Sequence, residues 1–476
     1  MAIYKKINPK FMKGIVDSAV VGMDVTDEML QDIIEQFKQY PESSVVVVNF
    51  HQAELAMKLC NGSHVSPCIA IAYPPFCSLP TELKVFQAKY AVEKLGVPHV
   101  LFTIDHAKFT DNRFEEVESD IAAVVKAVNH RASVIVMPDF AHWTPDECVH
   151  LAEIIRSAGA DLIKSTGGMG RAELPEKIAK VVQSVKGSIA VMGTSAIRNL
   201  DDVLSMLDAK PDKLAISRAG FFQTFEEVRA LEHVRLTKEE LAHNVEGMIW
   251  HPRISETEVR QYLEEAKHAG LYGVSVDPRW APLATEALAG SGTKVIARVG
   301  YPLGNAPTAL KVAETEWVVK HSSPNLEIQT ALNTSAFKSG HYDYIRQELD
   351  ALVKAANGRP LSVILQTPLL SPAEVAAACL LCVACGASYI EPIHGFLKFS
   401  PDGSTITADK VNYLDVRLMK KVVGDKIGIK ATGAVNRVID ALVLLSNGAQ
   451  RITTPGAVTM LAGYDTLVSR VEPYGK

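Results

Sequence analysis

The sequence predicts an α/β fold made of two tandem (β/α)8 barrels, and three observations carry that reading. β-branched runs alternate with amphipathic helical stretches along all 476 residues. The two halves carry the same elements at a nearly fixed spacing of 227–229 residues. That period matches one eight-stranded barrel and far exceeds the ~20–50 residues of a solenoid unit.

Strand candidates in the first half are SVVVVNF (44–50), PHVLFTI (98–104), ASVIVMPDF (132–140) and ADLIKST (160–166). Between them lie helical stretches such as PTELKVFQAKYAVEKLG (80–96) and PDECVHLAEIIRSAG (145–159). Strand and helix in steady alternation require parallel strands joined by right-handed crossovers. The repeat is read residue by residue. Tyr73-Pro74 matches Tyr301-Pro302, Leu83-Lys84-Val85 matches Leu310-Lys311-Val312, and WTPDECV (143–149) matches LSPAEVA (370–376). Gly159-Ala160 matches Gly386-Ala387, after which the spacing lengthens to 238, so that GTSAIR (193–198) meets ATGAVN (431–436). The added length is the loop LKFSPDGSTITADK (397–410). We therefore expect barrels over residues 1–235 and 236–476, a pseudo-dimer within one chain, with the link in the charged stretch at 225–243.

Composition excludes several classes. A hydrophobic content of 47% with 22% charged residues is that of a globular protein. A formal net charge of −5, with both signs scattered, offers nothing to nucleic acid or an anionic membrane. No window approaches ~18 uninterrupted apolar residues, and the N-terminus lacks a long apolar core, so the expectation is a soluble, cytoplasmic protein. Of seven cysteines, Cys379, Cys382 and Cys385 step along one side of an Ala/Leu-rich helix. A buried helix face explains that spacing better than a metal site, since no further Cys or His pair stands nearby to complete a tetrahedron.

These segments resemble the deoxyribose-phosphate aldolase family. In the second half GYPLG (300–304), SAFKSGHYDYI (335–345), LSVILQT (361–367) and VVGDKIGIKATGAVN (422–436) follow that family's order and spacing; in the first, LKVFQAKYAVEKLG (83–96) and ADLIKSTGG (160–168) do. The resemblance implies a class I aldolase barrel that cleaves 2-deoxyribose 5-phosphate to glyceraldehyde 3-phosphate and acetaldehyde through a lysine imine, with no metal or cofactor. A free lysine, pKa ~10.4, is almost wholly protonated at pH 7. The family therefore sets a second lysine on the neighbouring strand, and an acid on an earlier strand moves the protons.

Carried over by position, Lys164 falls on the imine-forming lysine, while Met192 stands at the companion lysine and Phe102 at the acid. In the second half the pattern reverses: Lys430 falls on the companion, Glu391 on the imine position and Gln329 on the acid. A carboxylate cannot form a Schiff base, and a buried Glu391–Lys430 ion pair is expected instead. For phosphate, the resemblance points to Ser217, Arg218, Thr194 and Ser195 in the first half, with Thr432 and Gly433 retained in the second. There Pro455 and Gly456 replace the expected serines, removing one N–H and two hydroxyls.

Other signals are weaker. GGMG (167–170) lacks the full dinucleotide fingerprint, and His99, His106, His142 and His394 have no carboxylate or cysteine partners in sequence. The expectation is a pseudoenzyme kept for binding a sugar phosphate or a protein assembly; the alternative is a carbon–carbon lyase working through Lys164.

Overall fold

The computed structural model describes residues 16–21, 24–40, 43–72, 79–167, 175–194, 197–394, 398–399, 406–407 and 411–474. The chain separates into two compact units, dividing between Val228 and Arg229 within the helix Arg218–His233. Each unit is a closed eight-stranded parallel barrel with helices between its strands.

The first barrel is formed by β1 (Val16–Val20), β2 (Ser43–Val48), β3 (Ser66–Ala70), β4 (His99–Thr103), β5 (Ser133–Met137), β6 (Leu162–Lys164), β7 (Ala190–Gly193) and β8 (Lys213–Ser217), in that order, with β8 closing on β1. The second uses β9 (Val245–Met248), β10 (Gly273–Val276), β11 (Lys294–Val299), β12 (Leu326–Ala331), β13 (Leu361–Ile364) and β14 (Tyr389–Glu391). After a short antiparallel pair, β15 (Lys398–Phe399) and β16 (Ile406–Thr407), it closes through β17 (Gly428–Thr432) and β18 (Arg451–Thr454). The pair lies in the inserted loop, so the insertion leaves the barrel order intact.

Barrel strands are covered on both faces, by helices outside and by one another inside, and side chains alternate between the two. In the first barrel the inward set is mostly apolar: Val45, Val47, Cys68, Ala70, Leu101, Ile135, Met137, Leu162, Met192 and Ala215 form one buried cluster. In the second it is ionic, with Glu246, Glu327, Gln329, Glu391 and Lys430 all buried. Outside the sheet the barrels agree closely. Capping boxes start equivalent helices, Thr144 with Glu147 and Ser371 with Glu374. Asp139 and Gln366, also equivalent, both adopt left-handed backbone, at φ 52° and 60°. Gly304 of GYPLG also needs its missing side chain: at φ +72° a Cβ there would strike the carbonyl of Leu332.

One buried pair is repeated in a place the sequence did not advertise. Lys84 Nζ lies 2.6 Å from Asp120 Oδ2, and Thr81 donates to the other oxygen at 2.6 Å. In the second barrel Lys311 meets Glu348 at 2.7 Å, with Thr308 donating at 3.1 Å. Cys379, Cys382 and Cys385 are buried free thiols on or at the end of the helix Pro372–Ala384. No group of residues able to hold a metal occurs among the described residues. Nor is any described helix long and apolar enough to cross a membrane.

Candidate functional site

In the first barrel Leu162 faces inward, so Lys164, two residues on, does too. Lys164 ends β6 and is only 6% exposed. The hydroxyls after it brace the strand end. Ser165 donates through Oγ to the Thr194 carbonyl at 3.0 Å, and Thr166 donates to Asp139 Oδ1 at 2.6 Å. Among the described residues no hydrogen bond or ion pair reaches the Lys164 amine. Burial lowers its pKa below the ordinary 10.5, opposed by Cys68 and Asp17. Burial thus shifts the amine toward its neutral form, the form that attacks carbonyls.

Its neighbours are unlike a full aldolase set. Met192 sits on β7 in register with Lys164, so the companion position is a thioether. Phe102 is not the residue at the acid position. Leu101 pairs in register with Ile135, as Gln329 pairs with Ser362, and Ile135 and Ser362 are repeat equivalents. Leu101 thus faces the interior and Phe102 the helices; a one-residue slip in sequence alignment exchanged them. Asp105 and Asn333, both helix N-caps, confirm this register.

Sequence reasoning missed Asp17, a buried carboxylate on β1 whose pKa is raised by burial against Lys213, a 2.6 Å hydrogen bond from Ser44, and Lys164. Its signal was the lone acid in the apolar run VDSAV, with Glu246 as counterpart 229 residues on. Thr194 is buried, and its N–H is bonded to Ser165 Oγ. Ser195 and most of GGMG lie outside the described residues, as do the side chains of Ser217 and Arg218. His99 begins β4, at the end away from the mouth, and burial lowers its pKa to about 4.

The second barrel corrects a further expectation. Lys430 does not pair with Glu391; its Nζ lies 3.1 Å from Glu246 Oε1 and 2.9 Å from Glu327 Oε2. Arg451 binds the same two carboxylates, at 3.2 and 2.8 Å, and its guanidinium lies between the rings of Tyr272 and Tyr389. Burial alone would lower the Lys430 pKa, but Glu246, Glu327 and Glu391 override it and raise it above its ordinary value. Burial alone would raise Glu327, yet Lys430 and Arg451 bring it down to about 2. Glu391 takes hydrogen bonds from Gln329 at 2.7 Å and from Thr432, and burial raises its pKa. The signal for this network was the alternation of polar residues in LEIQTA and RITT, which in a strand covered on both faces sends every second one inside.

No protein-family model matches the chain. It is 35% identical over 212 residues to deoxyribose-phosphate aldolase of Streptococcus sanguinis, a match covering 44% of this chain and 91% of that enzyme. It is also 35% identical over 233 residues to deoxyribose-phosphate aldolase of Caldanaerobacter subterraneus, covering 48% and 96%. This chain belongs to the deoxyribose-phosphate aldolase family. Each relative spans about half of it, as a tandem duplication requires. Among solved structures, the aldolase QR15 is 27% identical with a TM-score of 0.43, covering 48% of this chain and 96% of its own. A tetrameric deoxyribose phosphate aldolase from Aeropyrum pernix is 23% identical with a TM-score of 0.45, covering 51% and 97%.

Proposed function

We propose that this tandem member of the aldolase family is a binding or assembly protein that does not turn over 2-deoxyribose 5-phosphate. One observation carries the reading: the imine-position lysine and the companion-position lysine stand in different barrels. Lys164 has Met192 beside it on the next strand, and Lys430 shares its barrel with Glu391. Retro-aldol cleavage through an imine needs a nucleophilic amine and a proton carrier in one site. The first barrel has Leu101 at the acid position, and the second has no amine at the imine position. Lys430 cannot take over, because two carboxylates within 3.1 Å favour its protonated form.

A second reading, a lyase working through Lys164 alone, draws support from that amine's burial and lowered pKa. In it the Lys164 nitrogen adds to an aldehyde carbon and water leaves, forming the imine; Asp17, the buried carboxylate whose charge acts on Lys164, is the candidate to carry a proton. Two measurements on the full chain separate the readings. Borohydride with acetaldehyde reports carbonyl capture as a reductively ethylated Lys164 peptide. A retro-aldol assay with 2-deoxyribose 5-phosphate reports turnover. The binding reading expects no glyceraldehyde 3-phosphate above background, with or without an adduct. Turnover that disappears in Lys164→Ala would overturn it.

A further inference from the structure

Two buried polar atoms at the mouth of the second barrel have no hydrogen-bond partner among the described residues: Arg298 Nη1 and Glu391 Oε1. Arg298 lies near the C-terminal end of β11, 2% exposed. Its Nη2 donates to Asp277 Oδ1 at 2.8 Å and to the Ile249 carbonyl, and its Nε donates to Asp277 at 3.2 Å. A guanidinium keeps all five N–H donors at any accessible pH, so Nη1 is left with unmet hydrogens. Leaving a buried donor unsatisfied costs about 1–3 kcal/mol, and more when it is charged. Glu391 receives hydrogen bonds from Gln329 and Thr432 on Oε2, and the Ser362 hydroxyl also acts on the carboxyl, while Oε1 has no hydrogen bond of ordinary geometry among the described residues.

The two side chains are linked through Gln329. Arg298 pairs in register with Gln329, and Gln329 reaches past β13 to Glu391. Tyr301 packs on Arg298 and reaches toward the residues that follow β14. Its ring centroid is 5.1 Å from the Arg298 guanidinium carbon, and its hydroxyl donates at 3.1 Å to the carbonyl of His394, three residues beyond Glu391. Burial raises the Tyr301 phenol, with Arg298, Glu391 and Asp277 all acting on it.

Charge narrows the ligand. Lys294, Lys430, Arg451 and Arg298 are ion-paired with only Glu246, Glu327 and Asp277. Among the described residues Glu391 has no cation within ion-pair distance, and burial raises its pKa. The four cations outnumber the three carboxylates that pair with them by one, so the set suits a monoanion better than a phosphate dianion.

We propose that the mouth of the second barrel binds a short-chain hydroxy- or oxo-carboxylic acid, its carboxylate on Arg298 and its hydroxyl or oxo oxygen at Glu391. Arginine–carboxylate bonds are the strong, charge-assisted kind. This site is separate from Lys164 and does not rest on how the first barrel is read.

Isothermal titration of the full chain with glycolate, lactate and pyruvate, beside inorganic phosphate and acetaldehyde, tests it. At least one of the three acids should bind saturably, and more tightly than phosphate. Arg298→Met should weaken that binding at least about tenfold, the scale of a lost charge-assisted bond. Glu391→Gln should keep it within about threefold, because an amide also accepts at one atom and donates at the other. Glu391→Leu should weaken it about tenfold, and Lys164→Ala should leave it unchanged. Thermal unfolding confirms that each variant folds; if Arg298→Met does not, Arg298→Lys is titrated in its place and should also bind more weakly. No binding by any of the acids, tighter binding of phosphate, or full binding by the folded Arg298 variant would overturn the proposal.

Discussion

Lys430→Met is the sharpest test of the ionic interior. Methionine fills most of the volume, so the change removes charge with little cavity. It leaves Glu246 with Arg451, and Glu327 with Arg451 and Lys294, which reaches in from the barrel's edge. The Glu327 pKa sets the scale: a drop from 4.5 to about 2 corresponds to ~3.4 kcal/mol at ~1.36 kcal/mol per unit. Arg451 supplies part of that, while Glu246 adds its own lost partner. The expected loss is about 3 kcal/mol at pH 7, within reach of the ~3–5 kcal/mol typical of breaking a buried pair. Urea unfolding followed by tryptophan fluorescence measures it, because Trp250, Trp280 and Trp317 all lie in the second barrel. With a slope of ~2–3 kcal/mol per M, the midpoint should fall by roughly 1 M. The sign with pH follows from linkage. A depressed carboxylate contributes stability above its unfolded pKa of 4.5 that is lost as pH falls toward 2. The gap between wild type and variant should therefore close over that window. The double variant Lys430→Met/Glu327→Gln should recover much of the loss, since replacing a buried pair is far cheaper than breaking one. A midpoint unchanged at pH 7, or a gap that does not narrow in acid, would refute the reasoning.

Two further predictions use the same physics. Lys164 has a folded pKa below its unfolded 10.5, so the unfolded chain binds the extra proton and stability should rise with pH from the lowered value up to 10.5; Lys164→Met should flatten that rise and raise the pH 7 midpoint, read from Trp143 in the first barrel. A variant whose profile keeps the wild-type slope would show that the amine is not held neutral. Asp120→Ala and Glu348→Ala each leave a buried lysine without its carboxylate and should cost about 3–5 kcal/mol, the first in the Trp143 transition and the second in that of the other three tryptophans. Loss of less than about 1 kcal/mol in either would mean that the lysine finds water instead.

Much of the site was legible at the level of residue type. Lys164, Met192, Glu391, Gln329 and Lys430 could be set at their positions because the repeat and the family spacing agree. The strand acid could not: PHVLFTI offers Leu101 and Phe102 one residue apart, and only register tells which faces inside. Pairings were harder still. Glu391 and Lys430 sit on adjacent strands, yet Lys430 turns to Glu246 and Glu327, more than 100 residues away in sequence. Nothing local in VEGM or LEIQTA identifies a partner; closing the barrel brings β9, β12, β17 and β18 around one axis.

The sequence by itself determined the two barrels, the family, and the residues set at β6, β7, β12, β14 and β17, because hydrophobic period and repeat spacing are written along the chain. Tertiary structure alone decided that one interior is mostly apolar around Lys164 and Asp17, and that the other is an ion-paired core with Arg298 Nη1 and Glu391 Oε1 left open among the described residues. The physical reason is that desolvation and Coulomb energy depend on distances across the barrel, where each charge competes for every partner within reach.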